Sequence, residues 1–337
     1  MGTAKRSGPG VIETLSAGFE LVNKMIWIML LPILVDLLLW RGPLLSIAPA
    51  IKSLASAYAN ALPEQLQQAQ VSAPIASDTV QSFEQMRQTL EAASGNFNLL
   101  SLLVSNIAVV PSIGFGQQEG VNWVVTLSQP LTIVVVAIAL EVIGILLGVF
   151  YLGLLAQQVR DGRVDLPRLA RAIWRYWLSI VGFLLIVLGV AVFVGLPVGV
   201  FLGVMFLISA GLGAGLMAVL ATLLNIAMLL GLVYLFFLTD AVVISEVGPI
   251  KAVKNSVKVV ARNFWSALAL MVITFVIVAG TRVIWDYLSA ETWGTIAAII
   301  GNAYIASGLS AASMLFYKTR MASLKETEAS RPDGATP

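Results

Sequence analysis

Asp36, Glu141 and Arg282 are ionisable residues set inside long apolar runs. A charge facing lipid near the middle of a membrane helix costs about 2.5–3.5 kcal/mol on insertion scales, so each must face protein or water. Two carboxylates at that depth can serve a proton- or cation-coupled path. With Arg282 or Arg41 at comparable depth, they can instead form a buried ion pair. Asn225 and Asn302 fall mid-helix, where an amide bonds across to a neighbouring helix or lines a binding site. Gly195-Leu196-Pro197-Val198-Gly199 is a helix-break candidate. Gly195, Pro197 and Gly199 would expose backbone carbonyls to a substrate or ion, as discontinuous transporter helices do; the plainer reading is a proline kink.

The remaining chemistry is cationic. At 100° per residue, Lys251, Lys254, Lys258 and Arg262 fall within one stripe about 80° wide. Ile250, Val253, Val257, Val260 and Phe264 are placed on the opposite side. Such a helix lies in a membrane interface, apolar face down, with its cations beside anionic headgroups. Arg168, Arg171 and Arg175 repeat the spacing. Ordinary positive-inside anchoring is the plainer reading of both sets; specific lipid recognition or a partner dock is the alternative.

Other chemistry is excluded by composition. The chain has no histidine and no cysteine, which removes Ser-His-Asp and Cys-His nucleophiles, Cys/His zinc sites, haem attachment and disulfides. No nucleotide or metal motif occurs, no cofactor is expected, and a net charge of +2 gives no reason to expect nucleic acid. An intramembrane enzyme would need paired carboxylates brought together by the fold, and no such pairing is visible.

The elements that must position these residues follow from apolarity. Of 337 residues, 58% are hydrophobic and 11% charged, against roughly 25% charged in soluble domains; the mean hydropathy is +0.91. One soluble core cannot hide so much apolar surface, whereas lipid needs no such hiding. The expected fold is an all-α polytopic transmembrane helical bundle with about six crossings, cytoplasmic amphipathic interfacial helices and one extracytoplasmic helical insertion.

In detail, residues 1–24 read as a cytoplasmic N-terminal segment and 25–43 as the first transmembrane helix, close to the ~20 residues a crossing needs. Ala48-Pro49-Ala50 offers the rival reading of a cleaved signal. Residues 44–130 form the insertion, with a helix after Ser77 or Asp78, a short apolar helix from Phe97 to Val110 that is interfacial or re-entrant, and a loop at Gly114, Gly116 and Gly120. Residues 131–317 are the transmembrane bundle, with basic connectors at 157–177 and 240–265, and 318–337 a disordered tail. Leu178 to Thr239 holds no charge over 62 positions. Two helices fit there, about 178–207 and 213–239, turning at Gly211, Gly213 and Gly215. Small-xxx-small spacing (Gly144/Gly148, Gly195/Gly199/Gly203) predicts close helix packing.

Sixteen of the 20 basic residues fall in the N-terminal segment, the two connectors and the tail. The positive-inside rule then puts both termini in the cytoplasm. Each connector has a proline (Pro167, Pro249) at the start of a cationic helix and a basic, aromatic exit into a crossing. With a weaker copy near Lys24, that makes three parallel repeats.

Ser245-Glu246-Val247-Gly248-Pro249-Ile250-Lys251-Ala252-Val253-Lys254-Asn255-Ser256, followed by Arg262-Asn263-Phe264-Trp265, resembles an element that recurs in uncharacterised bacterial polytopic membrane proteins. It is also similar to the membrane domain attached to some glycerophosphoryl diester phosphodiesterases. The resemblance covers roughly the last 180 residues, by topology more than identity. It implies a membrane bundle and nothing catalytic: the hydrolase domain is absent, metal-assisted chemistry does not carry over without histidine, and no site residues transfer. The expected role is a non-catalytic membrane scaffold or accessory protein touching anionic lipid; the alternative is a small-molecule or ion transporter or channel using intramembrane carboxylates.

Overall fold

The computed structural model describes residues 9–68, 73–95, 97–105, 110–114 and 123–330. In chain order the helices are α1 (Val11–Lys24), α2 (Leu30–Arg41), α3 (Ala48–Gln68), α4 (Ala73–Gly95), α5 (Pro130–Asp161) and α6 (Leu166–Ile208). They continue with α7 (Ala210–Tyr234), α8 (Leu238–Ser245), α9 (Pro249–Arg262), α10 (Phe264–Leu288) and α11 (Thr292–Ala329). Among the described residues the other regular elements are two short 3₁₀ turns and two three-residue strands, β1 (Leu44–Ser46) and β2 (Val124–Thr126), joined by turns and short loops. The chain is an all-α polytopic helical bundle. Five stretches are long and apolar enough to cross a membrane, namely Pro130–Asp161, Leu166–Phe206, Gly211–Ser245, Phe264–Leu288 and Thr292–Ala329; Val11–Lys24 with Ile26–Arg41 makes a sixth if that bent pair counts as one span.

Two compact units form, residues 1–30 with 148–337, and residues 31–147. In the larger, α1 packs along α11 rather than standing apart as an N-terminal segment. Thr14, Gly18 and Val22, four residues apart, make its buried face. The approach is close enough that a Cβ on Gly18 would lie 2.6 Å from the Gly308 carbonyl and 2.7 Å from the Ala312 nitrogen. At the two ends of this seam, Arg320 donates to the Pro9 carbonyl at 3.2 Å and Tyr304 to Asn23 at 3.1 Å. Small residues thus let two backbones touch where lipid offers no hydrophobic drive for association.

Several boundaries differ from those expected. The first crossing is not one straight helix. It breaks at Met25 (φ −138°, ψ 52°), passes a 3₁₀ turn at Ile26–Met29 and resumes as α2. The 157–177 connector is no separate interfacial helix. Instead α5 continues to Asp161, the chain turns at Gly162 (φ +69°), and α6 starts at Leu166 and runs unbroken to Ile208. Asp165 caps it by accepting from the Arg168 N–H at 3.0 Å, with Pro167 in the first turn. Gly195, Pro197 and Gly199 therefore break nothing: the helix continues through them, and a Cβ on either glycine would meet open space. The α6–α7 turn sits at Ser209, whose hydroxyl caps α7, and Gly213 lies inside α7 against the Phe206 ring. From Leu178 onward α6, and most of α7, expose large apolar side chains, which suits helices bathed in hydrocarbon. Nor is the tail structureless from 318, because α11 extends to Ala329; residues 331–337 lie outside the described residues.

In the smaller unit, α3 and α4 make an antiparallel-type hairpin contact through the Tyr58 and Phe83 rings, 4.8 Å apart. Arg87 bridges Glu84 and Glu91 on α4, each at 2.5 Å. β1 pairs with β2 in parallel, Leu44 opposite Val124 and Ser46 opposite Thr126, so the two ends of the insertion are pinned together. Phe97–Val110 forms no longer helix among its described residues, only the 3₁₀ turn Leu99–Leu103 capped by Asn98; 106–109 lie outside the described residues. Of the loop glycines, Gly114 adopts φ +67°, while Gly116 and Gly120 are outside them.

The α1–α11 seam yields a test. Gly18→Ala should lower stability in detergent by about 1–3 kcal/mol, the usual cost of overpacking, whereas Gly199→Ala should leave it unchanged. Thermal melts of the two variants that coincide would show that the seam is not a close contact.

Candidate functional site

The densest polar chemistry lies in the larger unit, on and around the short helix α8. Its carboxyl end is Glu246, which sits in the left-handed region (φ 53°, ψ 43°) where glycine is the usual residue. A non-glycine residue there carries strain of about 1–3 kcal/mol and persists only where its surroundings hold it. Here they do. One Glu246 oxygen accepts from Arg160 at 2.5 Å and from the Tyr176 hydroxyl at 2.9 Å; the other accepts from Arg175 at 2.6 Å. Arg168 stands 3.7 Å away.

Sequence places these donors through ordinary local rules. Arg160 ends α5; Arg168, Arg175 and Tyr176 occupy the first turns of α6. The turn between the helices is fixed by a reciprocal pair, the Asp165 N–H donating to Gln157 at 2.9 Å and the Gln157 amide to the Asp165 carbonyl at 3.1 Å. Asp161 takes Arg160 at 3.0 Å and Arg168 at 3.2 Å. Lys318 of α11 donates to the Val159 carbonyl at 2.8 Å, satisfying an orphan carbonyl at the end of α5. Partial burial alone would raise the Glu246 carboxyl. The hydrogen bonds from Tyr176 and Arg160, with the charges of Arg160 and Arg175, outweigh it and hold the group below the usual carboxylate range.

Behind this cluster is a buried polar seam. Asp240 is 4% exposed and accepts from the Ser313 hydroxyl at 2.5 Å. Ser245 and Tyr317 pair at 2.8 Å, Tyr151 donates to Ser307 at 2.8 Å, and Ser256 donates to the Tyr234 carbonyl at 2.8 Å. Phe237 stacks on Phe316 beside them. Each of these hydroxyls has a partner, so the bonds tie α8 and α5 to α11 and α9 to the end of α7, and a low-dielectric interior strengthens them.

The residues singled out from sequence are distributed differently from expectation. Asp36, 0% exposed in the smaller unit, accepts from the Ser112 hydroxyl and from the Ile113 N–H at 3.3 Å; it ties down a loop and has no cation partner among the described residues. Glu141 is half-buried and Arg282 exposed, each without an ion-pair partner among the described residues. Asn225 is exposed and donates to the Ala221 carbonyl of its own helix at 2.8 Å, so it bridges no helices. Asn302 has a buried amide nitrogen with no partner among the described residues. Of the headgroup candidates, Arg168 and Arg175 are turned to Glu246, and Lys258 pairs with Glu328 at 2.5 Å. Arg171, Lys251, Lys254 and Arg262 stay exposed.

Glu246 and Asp240 are the two acids of the 240–265 segment, yet sequence reading gave neither a role. Three arginines in the preceding connector were signal enough to ask which carboxylate they meet.

The clamp predicts an acid limb in the unfolding profile. A carboxyl whose folded pKa lies below its unfolded value adds stability that is fully present above the unfolded pKa and is lost as pH falls through the folded one. Wild type should therefore melt above Glu246→Gln at neutral pH, with the gap closing below about pH 4. A gap that stays constant from neutral to acid pH would mean that the carboxylate charge holds nothing.

The matching family model, a domain of unknown function (DUF7847), covers residues 87–320. No curated protein and no solved structure matches the chain. The matched stretch takes in the whole Glu246 cluster and the Asp240 seam and is more than two thirds of the sequence; the chain belongs to the DUF7847 family.

Proposed function

We propose that this protein is a non-catalytic, multi-pass scaffold or accessory protein of a bacterial cytoplasmic membrane, with six crossings, both termini cytoplasmic and its basic end against anionic headgroups. The observation that carries the reading is the three-faced helix α9. Ala252, Ser256, Val259 and Val260 are its buried face, packed on the bundle. Lys251, Lys254 and Arg262 stay exposed on another side. Between these faces Ile250 and Val257 are exposed. This corrects the two-faced arrangement expected from the helical wheel: Val260 joins the protein core, while Ile250 and Val257 form an apolar edge beside the cations. A cationic stripe bordered by an outward apolar edge fits an interface whose headgroups are anionic and whose depth is apolar. Each cation near such a surface contributes about 1 kcal/mol, and exposed charges lose this with added salt.

In mixed micelles with equal phosphatidylglycerol and phosphatidylcholine, the purified protein should retain mostly phosphatidylglycerol in native mass spectra. The variant Lys251→Gln/Lys254→Gln/Arg262→Gln should lose most of that preference. An unchanged lipid ratio in the variant would defeat the proposal.

One observation favours the transport reading instead: Asp240 is a buried carboxylate within the Gly211–Ser245 span, next to the hydroxyl of Ser313. The chain has no native cysteine, so Ser313→Cys gives a single reporter. The scaffold reading expects that thiol to resist a water-soluble maleimide until the protein is unfolded. Rapid labelling of the folded protein would mark a hydrated path and favour transport.

A further inference from the structure

We propose that a groove between α6 and the start of α9 is a binding site for one phospholipid, holding the phosphate of an anionic headgroup. The proposal deepens the lipid-binding reading above and rests on it. The groove, about 320 Å³, is lined by Arg171, Trp174, Arg175, Leu178 and Ser179 of α6 and by Pro249, the first residue of α9. The α6 residues recur at helical spacing and so share one face. Gly182 continues that face, where a Cβ would lie 3.4 Å from the Pro249 ring, in ordinary contact, so α9 begins alongside this face of α6.

The lining changes character along the groove as a phospholipid does. Arg171 and Arg175 lie at one end, and Leu178 opens the 62-residue uncharged run at the other. Headgroup phosphate and acyl chain therefore meet guanidinium and hydrocarbon in turn. Arg171 is exposed, has no acidic partner among the described residues, and makes one weak bond, from Nε to the Pro167 carbonyl of its own helix at 3.3 Å. Its terminal nitrogens are left for a ligand, and a guanidinium fork matches phosphate oxygens. Arg175 gives Nη2 to Glu246 and keeps further donors. Gly248 supplies no side-chain cap to α9, so the partial positive charge of the helix start at Pro249 is not offset by a capping side chain. Trp174, exposed and stacked on Trp177 with ring centroids 4.9 Å apart, provides the amphipathic aromatic surface that favours the headgroup level. A free phosphate would use the arginines and leave the Trp174, Leu178 and Pro249 wall wet, which is why a lipid is the occupant.

The test titrates phosphatidylglycerol into the full-length protein in neutral detergent and resolves successive bound lipids by native mass spectrometry. Arg171→Gln should weaken the first, tightest lipid about fivefold, the loss of one cation near an anionic group, and Trp174→Ala should weaken it too, while Arg171→Lys should recover part of the loss. The α9 triple variant should leave the first lipid in place and weaken the later ones. If Arg171→Gln and Trp174→Ala both keep the first lipid at wild-type affinity while the triple variant still loses the later ones, the groove is not the site and the broader lipid reading survives. If no variant changes any lipid, both fall. Displacement of the lipid by glycerol phosphate would also overturn the proposal, because it would show that the acyl wall plays no part. Since the one bond of Arg171 is within its own helix, unchanged melting of Arg171→Gln separates lost binding from lost fold.

Discussion

Three guanidinium groups and a phenol converge on the carboxylate of Glu246, and much of the basic end of the bundle depends on that convergence. Arg160 belongs to α5, Arg168 and Arg175 to α6, and Glu246 to the joint between α8 and α9. Without an anion at their focus, these arginines would repel one another across the tight 162–165 turn. With it, each repulsive pair becomes a shared attraction, and four helix ends are indexed to one atom group. The left-handed backbone at Glu246 follows from the same requirement: a glycine would relax the turn and remove the charge that holds it. Arginine suits the task better than lysine, since its fork can serve Glu246 and Asp161 together, as Arg160 does.

A different constraint operates along the membrane-crossing parts. Lipid tails are as apolar as leucine, so helices associate there through close packing and hydrogen bonds rather than through expulsion of water. Gly18 against Gly308 and Ala312 is such a close backbone contact, and the serines and tyrosines of the Asp240 seam supply the bonds. The same small-residue spacing in α6, at Gly195 and Gly199, meets nothing within 4 Å. Spacing makes a close approach possible without saying that a partner is there. Gly18 sits in α1, where no apolar run drew notice, and the partner residue is 290 positions away.

The fold class was legible because it follows from one-dimensional facts: long runs without charge, and basic residues gathered between them. The helix α10, for instance, starts at Phe264 and ends at Leu288, close to where hydropathy alone marks a crossing. The start of α6 was also legible and was passed over. Asp165 followed by Pro167 is a capping residue with proline in the first turn, which argues for one helix from there onward rather than a connector and a later crossing. The charge partners were not legible. Asp36 meets Ser112 across 76 positions, and Arg160 meets Glu246 across 86; helical periodicity carries no information about which distant segments adjoin. Burial faces fail for a related reason. A helical wheel separates charged from apolar residues, but α9 has two apolar neighbours, protein and the exterior, and only the tertiary contacts assign Val260 to one and Val257 to the other.

The partners sort the cations into two kinds with different physics. Arg160, Arg168, Arg175, Lys258 and Lys318 end on carboxylates or helix carbonyls of the chain itself. Arg171, Lys251, Lys254 and Arg262 end on nothing acidic among the described residues. The arginines and Lys258 of the first kind are neutralised locally by carboxylates, so salt changes them little where they are partly buried. Those of the second kind project an unscreened field over roughly a Debye length, about 8 Å at physiological ionic strength. Sequence counts treat all nine alike as positive-inside anchors. Their geometry divides the labour: one set holds α5, α6, α9 and α11 in register, and the other remains available to whatever negative surface lies opposite. A membrane protein that used its cations for orientation alone would have no reason to keep one set paired and the other set open on the same end.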